Sequence, residues 1–226
     1  MIKIIQLSKY YGKKQVLNKM DLEFKAGNIY GVVGENGAGK TTLFKCLSGV
    51  ESYKGLISSD YDNLKNHIGF LHTTPFFFTK ITGKEYIQFM VNARNIKLLD
   101  IEDKNIFDLP LNQYATTYSS GMKKKLALTA LLLQKNEVFI LDEPFNGVDV
   151  HSNIIIVEII KKLRGLNKIV IISSHIFSTL ESICDVIYHI DKGILIEKVA
   201  PKDFKKLEAK MKEKTVGNRI NNLGLK

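Results

Sequence analysis

The stretch Gly34-Glu35-Asn36-Gly37-Ala38-Gly39-Lys40-Thr41 follows a short apolar run, Ile29 to Val33, and precedes Lys40 to Leu47, where the apolar spacing turns helical. A strand, then a turn spaced G-x-x-x-x-G-K-[ST], then a helix is the context of a phosphate-binding loop. Gly34, Gly37 and Gly39 let the backbone wrap closely around phosphate oxygens. Successive N–H groups then point inward, and the helix N-terminus adds partial positive charge. In this reading Lys40 reaches the β- and γ-phosphates and Thr41 holds Mg²⁺. Asn36 and Thr42, inside and just after the loop, are further candidate nucleotide contacts. A chance glycine turn with a stray lysine is the alternative, and it leaves the flanking strand and helix unexplained.

Working outward, a phosphate loop needs a carboxylate on a neighbouring strand to hold the metal. Val138-Phe139-Ile140-Leu141 is a continuous apolar run that ends in Asp142-Glu143. Unalternated runs of this kind are strands buried on both faces, as in a parallel sheet. Asp142 then emerges at the strand's carboxyl end as a metal ligand, and Glu143 is placed to polarise the attacking water. Ile169 to Ile172 is a second such run, and Ser173-Ser174-His175 closes it. Ligands of open α/β sheets bind at that edge, so His175 is a candidate γ-phosphate contact. Tyr118-Ser119-Ser120-Gly121-Met122 opens a helix running to about Leu133. Ser119 is either its N-cap or part of a second phosphate-binding helix terminus.

The rest of the chain alternates in the same way. Met20, Leu22 and Phe24 alternate with Lys19, Asp21, Glu23 and Lys25, a strand with one buried face. Ala26-Gly27-Asn28 is a turn. Residues from about 75 to 135 read as a mostly helical insertion, with Thr82 and Glu85 at capping-box spacing. Ser152 to Arg164 reads as a helix capped by Ser152 and stopped at Gly165. A shorter helix from Phe177 to Cys184 leads to a strand, Val186 to Ile190, and a turn at Asp191-Lys192-Gly193. Such alternation predicts an α/β layer architecture.

Composition sets the outer bounds. The 226 residues carry 33 Lys and Arg against 23 Asp and Glu, a formal charge of +10, with 45% hydrophobic residues. This is ordinary globular composition and excludes a disordered chain or a disulfide scaffold. A basic balance points to a polyanionic partner: nucleic acid, nucleotide or anionic lipid. Lys198 to Lys226 holds nine of the basic residues and three acidic ones, more than half of the net charge. Cys46 and Cys184, the two cysteines, fit a reduced cytosolic protein and read as small buried hydrophobes. The amino terminus, MIKIIQLSKYYG, has no signal-peptide core, and no apolar run approaches the roughly 20 residues that span a bilayer.

Taken in order, these motifs resemble the ATP-binding cassette ATPases, the cytoplasmic engines of membrane transporters. Gly34 to Thr41 is similar to their Walker A motif, and Val138 to Glu143 to Walker B with its catalytic glutamate. Ser119 and Gly121 match the signature motif L-S-G-G-Q, with Tyr118, Ser120 and Met122 standing where it has Leu, Gly and Gln. Asp149 resembles the D-loop aspartate, His175 the switch histidine, and Tyr11 the aromatic that stacks on adenine. The resemblance spans about residues 2 to 200. It implies a P-loop NTPase core with a mostly parallel sheet, an N-terminal antiparallel β subdomain and a small inserted helical subdomain. It divides the chain into a nucleotide-binding domain over 1–200 and a basic tail over 201–226. ATP and Mg²⁺ are the implied cofactors. Implied partners are transmembrane permease subunits and a second ATPase subunit, as homodimer or heterodimer, with no nucleic acid; the basic tail is a candidate contact for anionic lipid. The implied location is cytoplasmic and peripheral, on the inner face of the cell membrane. An exporter-type subunit is expected from the compact helical lobe.

One position departs from the pattern. Thr73 stands where the family usually has a Gln that helps sense Mg²⁺ and links the site to the transmembrane partner. The shorter Thr hydroxyl is expected to act only through a bridging water. Among lesser features, Phe76-Phe77-Phe78 reads either as a docking patch or as packing for the helical lobe, and Lys123-Lys124-Lys125 either as a cluster approaching phosphates or, the favoured reading, as a solvated helix face. The rival functions are soluble ATPases of the same family in DNA repair or translation. Repair members insert a long coiled coil where only 78 positions separate Thr41 from Ser119, and translation members carry two cassettes. A phosphate-loop kinase would leave Ser119 and Asp149 unexplained.

Overall fold

In the computed structural model, residues 1–216 are described. Among the described residues, two sheets and six α-helices carry the fold. β1 (Ile2–Tyr11), β2 (Lys14–Phe24) and β4 (Lys54–Ser59) form an antiparallel sheet in the order β2-β1-β4. The larger sheet contains β3 (Asn28–Val33), β5 (Ile68–Leu71), β6 (Val138–Asp142), β7 (Ile169–Ser173), β8 (Val186–Asp191) and β9 (Ile194–Val199), in the order β5-β6-β7-β3-β8-β9. Its first five strands run parallel, and β9 returns antiparallel through the Lys192-Gly193 turn. The fold is therefore the α/β arrangement expected, with a mostly parallel sheet and an antiparallel β layer at the N-terminus.

The unalternated apolar runs explain the layering. In β6 and β7 every residue is buried. Val138, Ile140, Ile169 and Ile171 face one core, shared with Leu22, Phe24, Leu43 and Phe44. Phe139, Leu141, Val170 and Ile172 face the other, shared with residues of the helices around the sheet. Alternate side chains point to opposite faces, so a strand apolar at every position must have a core on each side. Each such side chain contributes roughly 1.5–3 kcal/mol on burial.

The helices are α1 (Lys40–Leu47), α2 (Gly83–Asn92), α3 (Ser120–Leu133), α4 (Val150–Gly165), α5 (Phe177–Ile183) and α6 (Phe204–Val216). Thr82 caps α2 in a complete capping box with Glu85. The 75–135 insertion holds only α2 and α3, joined by irregular chain with two short 3₁₀ turns, so it is less helical than expected. α4 begins two residues earlier than Ser152, and Asp149 caps it, accepting from the Ser152 N–H at 2.9 Å. A carboxylate at that helix start also complements the dipole, so Asp149 takes the position expected for Ser152. The described part of the basic C-terminal segment is a docked helix: Phe204 and Leu207 are buried in the main core. The expected tail beyond residue 216 lies outside the described residues. Among the described residues, no helix is long and apolar enough to cross a membrane.

Candidate active site

The parallel register brings the carboxyl ends of β3, β6 and β7 to one edge of the sheet, with Asp142 directly opposite Ser173. A cavity of about 540 Å³ opens there. Asn36, Gly37, Gly39, Lys40, Thr41 and Thr42 line one side of it. Thr73, Asp142, Glu143 and His175 line the other, and Lys14, Gln15, Val16 and Lys192 form its remaining wall. Sequence separations of 30 to more than 100 residues thus collapse into one pocket.

The loop is built for close approach. Gly39 has φ +107°, a conformation strained for any residue with a side chain, and a Cβ there would also crowd Val16 O at 3.2 Å. No side chain caps the first turn of α1 at its Gly39 N-cap, and the free N–H groups of a helix start favour an anion. Lys40 is buried and donates to the loop's own carbonyls, Gly34 O at 2.7 Å and Glu35 O at 3.2 Å. Burial pulls its pKa down, while Glu143 and Asp142 push it back up.

Asp142 is held by three hydroxyls. Thr41 Oγ1 and Thr73 Oγ1 each donate to Oδ2 at 2.7 Å, and Ser173 Oγ donates to Oδ1 at 2.5 Å. Glu143 is also buried. Its Oε2 accepts from the His175 N–H at 3.2 Å. Its Oε1 accepts no hydrogen bond of good geometry, although His175 Nε2 lies 3.1 Å away. The hydroxyl and carboxylate oxygens of Thr41 and Asp142 form the all-oxygen set that a hard divalent cation takes, so these residues fit Mg²⁺. The buried Glu143 carboxylate lines the same cavity, with His175 Nε2 beside its Oε1.

Five expected site residues stand apart from the cavity lining. Gly34 begins the loop and enters the site through its carbonyl on Lys40. Tyr11 ends β1, exposed, with Lys9 Nζ 4.9 Å from its ring centre. Ser119 caps α3, accepting from the Met122 N–H at 3.2 Å. Gly121 lies against the next loop: a Cβ there would sit 2.3 Å from Gly147 O. Asp149 pairs with Lys125 at 3.1 Å. The Ser152 N–H and hydroxyl, then Lys125, hold its carboxyl well below the usual range.

Several features were not legible beforehand. Thr73 donates directly to Asp142 Oδ2, a contact the sequence did not suggest. Ser173 bonds both Asp142 and the Glu143 N–H; pairing the two apolar strands end to end in the sequence would have found it. The Lys123-Lys124-Lys125 run is not a solvated face. Lys124 is 4% exposed and donates to Glu143 O at 2.6 Å and Asn146 O at 3.0 Å. Three consecutive helical residues sweep about 200°, so they cannot share one face. The phenylalanine run divides similarly: Phe77 is buried, while Phe76 and Phe78 are 76% and 53% exposed.

Comparison with known proteins gives a consistent set of relatives. The family model described as ABC transporter matches residues 17–146. The bacitracin transport ATP-binding protein BcrA of Enterococcus faecalis is 32% identical over 234 residues, covering 94% of this chain and 73% of that protein. Among solved structures, an ATP-binding subunit of an ABC transporter superposes with a TM-score of 0.81 at 23% identity, covering 92% of this chain and 93% of the other. A dimeric ATP-binding cassette in a post-hydrolysis state, bound to ADP and Pi, superposes at 0.78 with 16% identity, covering 89% and 99%.

Proposed function

The chain belongs to the ABC transporter family, matched by its family model over residues 17–146, and on that premise we propose how its residues divide the work of ATP hydrolysis. The protein is an ATPase subunit that works with membrane partners. In the proposed mechanism the loop from Gly34 to Gly39 wraps the phosphates, with Asn36, Gly37 and Thr42 as further contacts. Lys40 leaves the Gly34 and Glu35 carbonyls for phosphate oxygens of greater charge, a stronger charge-assisted bond. Thr41 and Asp142 would hold Mg²⁺, which would supply positive charge against the phosphate oxygens. Glu143 takes a proton from the attacking water at Oε1, and His175 orients Glu143 and faces the γ-phosphate. Tyr11 stacks on adenine.

Ser119, Gly121 and Asp149 act on the nucleotide of a second subunit, closing two composite sites between two copies or between this chain and a paralogue. Residues 1–200 form the nucleotide-binding unit, with 75–135 as its helical insertion, and 201–226 a basic segment that contacts anionic lipid. The subunit sits on the inner face of the membrane, bound to permease subunits of an exporter. The exposed Phe76 and Phe78 support a docking role for the chain just after Thr73.

The observation that supports the reading is the meeting of Thr41 and Asp142 at 2.7 Å in the cavity that the buried Glu143 carboxylate also lines. Glu143→Gln tests it: the shape is kept and the proton acceptor is lost. Steady-state ATPase assays are expected to show a loss of roughly 10²–10⁴-fold with nucleotide binding retained. Turnover at the parental rate would place the base elsewhere.

A further inference from the structure

Glu143 has φ +53°, an uncommon conformation for a residue with a side chain. Such a backbone persists only where its surroundings over-determine it. Three elements do so. From β7, Ser173 Oγ accepts the Glu143 N–H at 3.0 Å. From the segment after β7, the His175 N–H donates to Oε2 at 3.2 Å. From α3, Lys124 Nζ donates to the Glu143 carbonyl at 2.6 Å. The first two contacts belong to the site itself. The third comes from the helix that Ser119 caps.

We propose that Lys124 is a positioning residue for Glu143: its ammonium fixes the left-handed peptide of the base and ties it to the helix that begins at Ser119. The inference rests on the reading of Glu143 as base. A buried ammonium is costly unless its donors are satisfied, and here both recorded partners are backbone carbonyls, Glu143 O and Asn146 O. Lys124 forms no ion pair within 4 Å among the described residues, and the Glu143 and Asp142 carboxylates act on it only from farther away, so its direct contacts are the two carbonyls. Its geometry clamps the turn from Glu143 to Asn146.

Two neighbours make the clamp rigid. Gly121, one turn before Lys124, lies so close to Gly147 O that a Cβ would meet it at 2.3 Å. Lys125 bonds Asp149 Oδ2 and Ser152 Oγ, each at 3.1 Å. The first turns of α3 are thus seated on the whole run from Glu143 to Asp149. A displacement of the Ser119 end of α3 is carried to the base through Lys124.

The test uses the full chain with Lys124→Met, which keeps the length of the side chain and removes its donors, and Lys124→Arg, which keeps them. Lys124→Met is expected to lower kcat by about tenfold or more, while KM for ATP and the calorimetric Kd for ADP stay within about twofold. Lys124→Arg should recover most of the rate. Because Lys124 acts through Glu143, adding Lys124→Met to Glu143→Gln should cost no more than about twofold further in single-turnover hydrolysis. Retention of kcat in Lys124→Met, a parallel rise of KM and Kd, or a full second loss on top of Glu143→Gln overturns the proposal. If Lys124→Met does not fold, Lys124→Gln takes its place: a rate between those of the parent and Glu143→Gln at unchanged Kd is expected, and a parental rate overturns the proposal. Parental turnover by Glu143→Gln alone instead overturns the reading of the base.

Discussion

Asp142 accepts three hydroxyl hydrogen bonds, and two of them, from Thr41 and Thr73, converge on one oxygen. Thr41 was legible from its place in the loop, and Asp142 from its place after an apolar strand. The contact made by Thr73 was not, because nothing local in the sequence says that residue 73 comes beside residue 142; β5 pairing with β6 puts it there. If Thr41 served Mg²⁺ as proposed, Thr73 would still hold Asp142 Oδ2 in place. Hydrogen bonds to charged groups contribute about 1.5–3 kcal/mol. Thr73→Val is therefore expected to weaken Mn²⁺ binding, followed by electron paramagnetic resonance in the presence of ADP, by roughly tenfold. Thr73→Ser should stay near the parent. Equal Mn²⁺ affinity in Thr73→Val and the parent would remove Thr73 from the metal side of the site.

At the scale of elements, strong periodicity was readable and weak or composite signals were not. The unalternated runs at Val138 and Ile169 located β6 and β7, and the capping box located the start of α2. β4 and β5 escaped: β5 has only four residues, and β4 is largely exposed, so neither carries a clear period. The α4 cap escaped because Asp149 and Ser152 are both good caps, and the choice depends on Lys125 reaching both from α3. Lys124 escaped because a run of three lysines looks solvated until the helix beneath it is turned. The capping box gives a direct test of an element. Thr82→Ala should cost about 1 kcal/mol, lowering Tm by roughly 2–4 °C in a chain of this size, with ATPase activity unchanged because Thr82 lies outside the cavity. Calorimetric melting decides it, and an unshifted Tm would show that the box adds nothing to α2.

At the scale of the molecule, one copy of the chain gathers the loop, Asp142, Glu143 and His175 around one cavity, while Ser119, Gly121 and Asp149 stay outside it. A residue list alone could not divide the site in this way, since the sequence carries both sets with equal clarity. In the proposed mechanism the second set acts on the nucleotide of a partner subunit. Ser119→Arg and Lys40→Ala proteins, each inactive alone, should therefore recover part of their ATPase activity when mixed. Mixed dimers then hold one undamaged composite site, and the other carries both lesions. A mixture no more active than its components would mean that the two motifs do not meet between subunits. The central claim, that ATP joins two subunits and that Glu143 is needed to release them, is tested most directly by light scattering on Glu143→Gln protein. With Mg²⁺ and ATP the mass should double from 25.6 kDa and return to that value with ADP. A mass that stays at the single-subunit value while ATP is bound would contradict it.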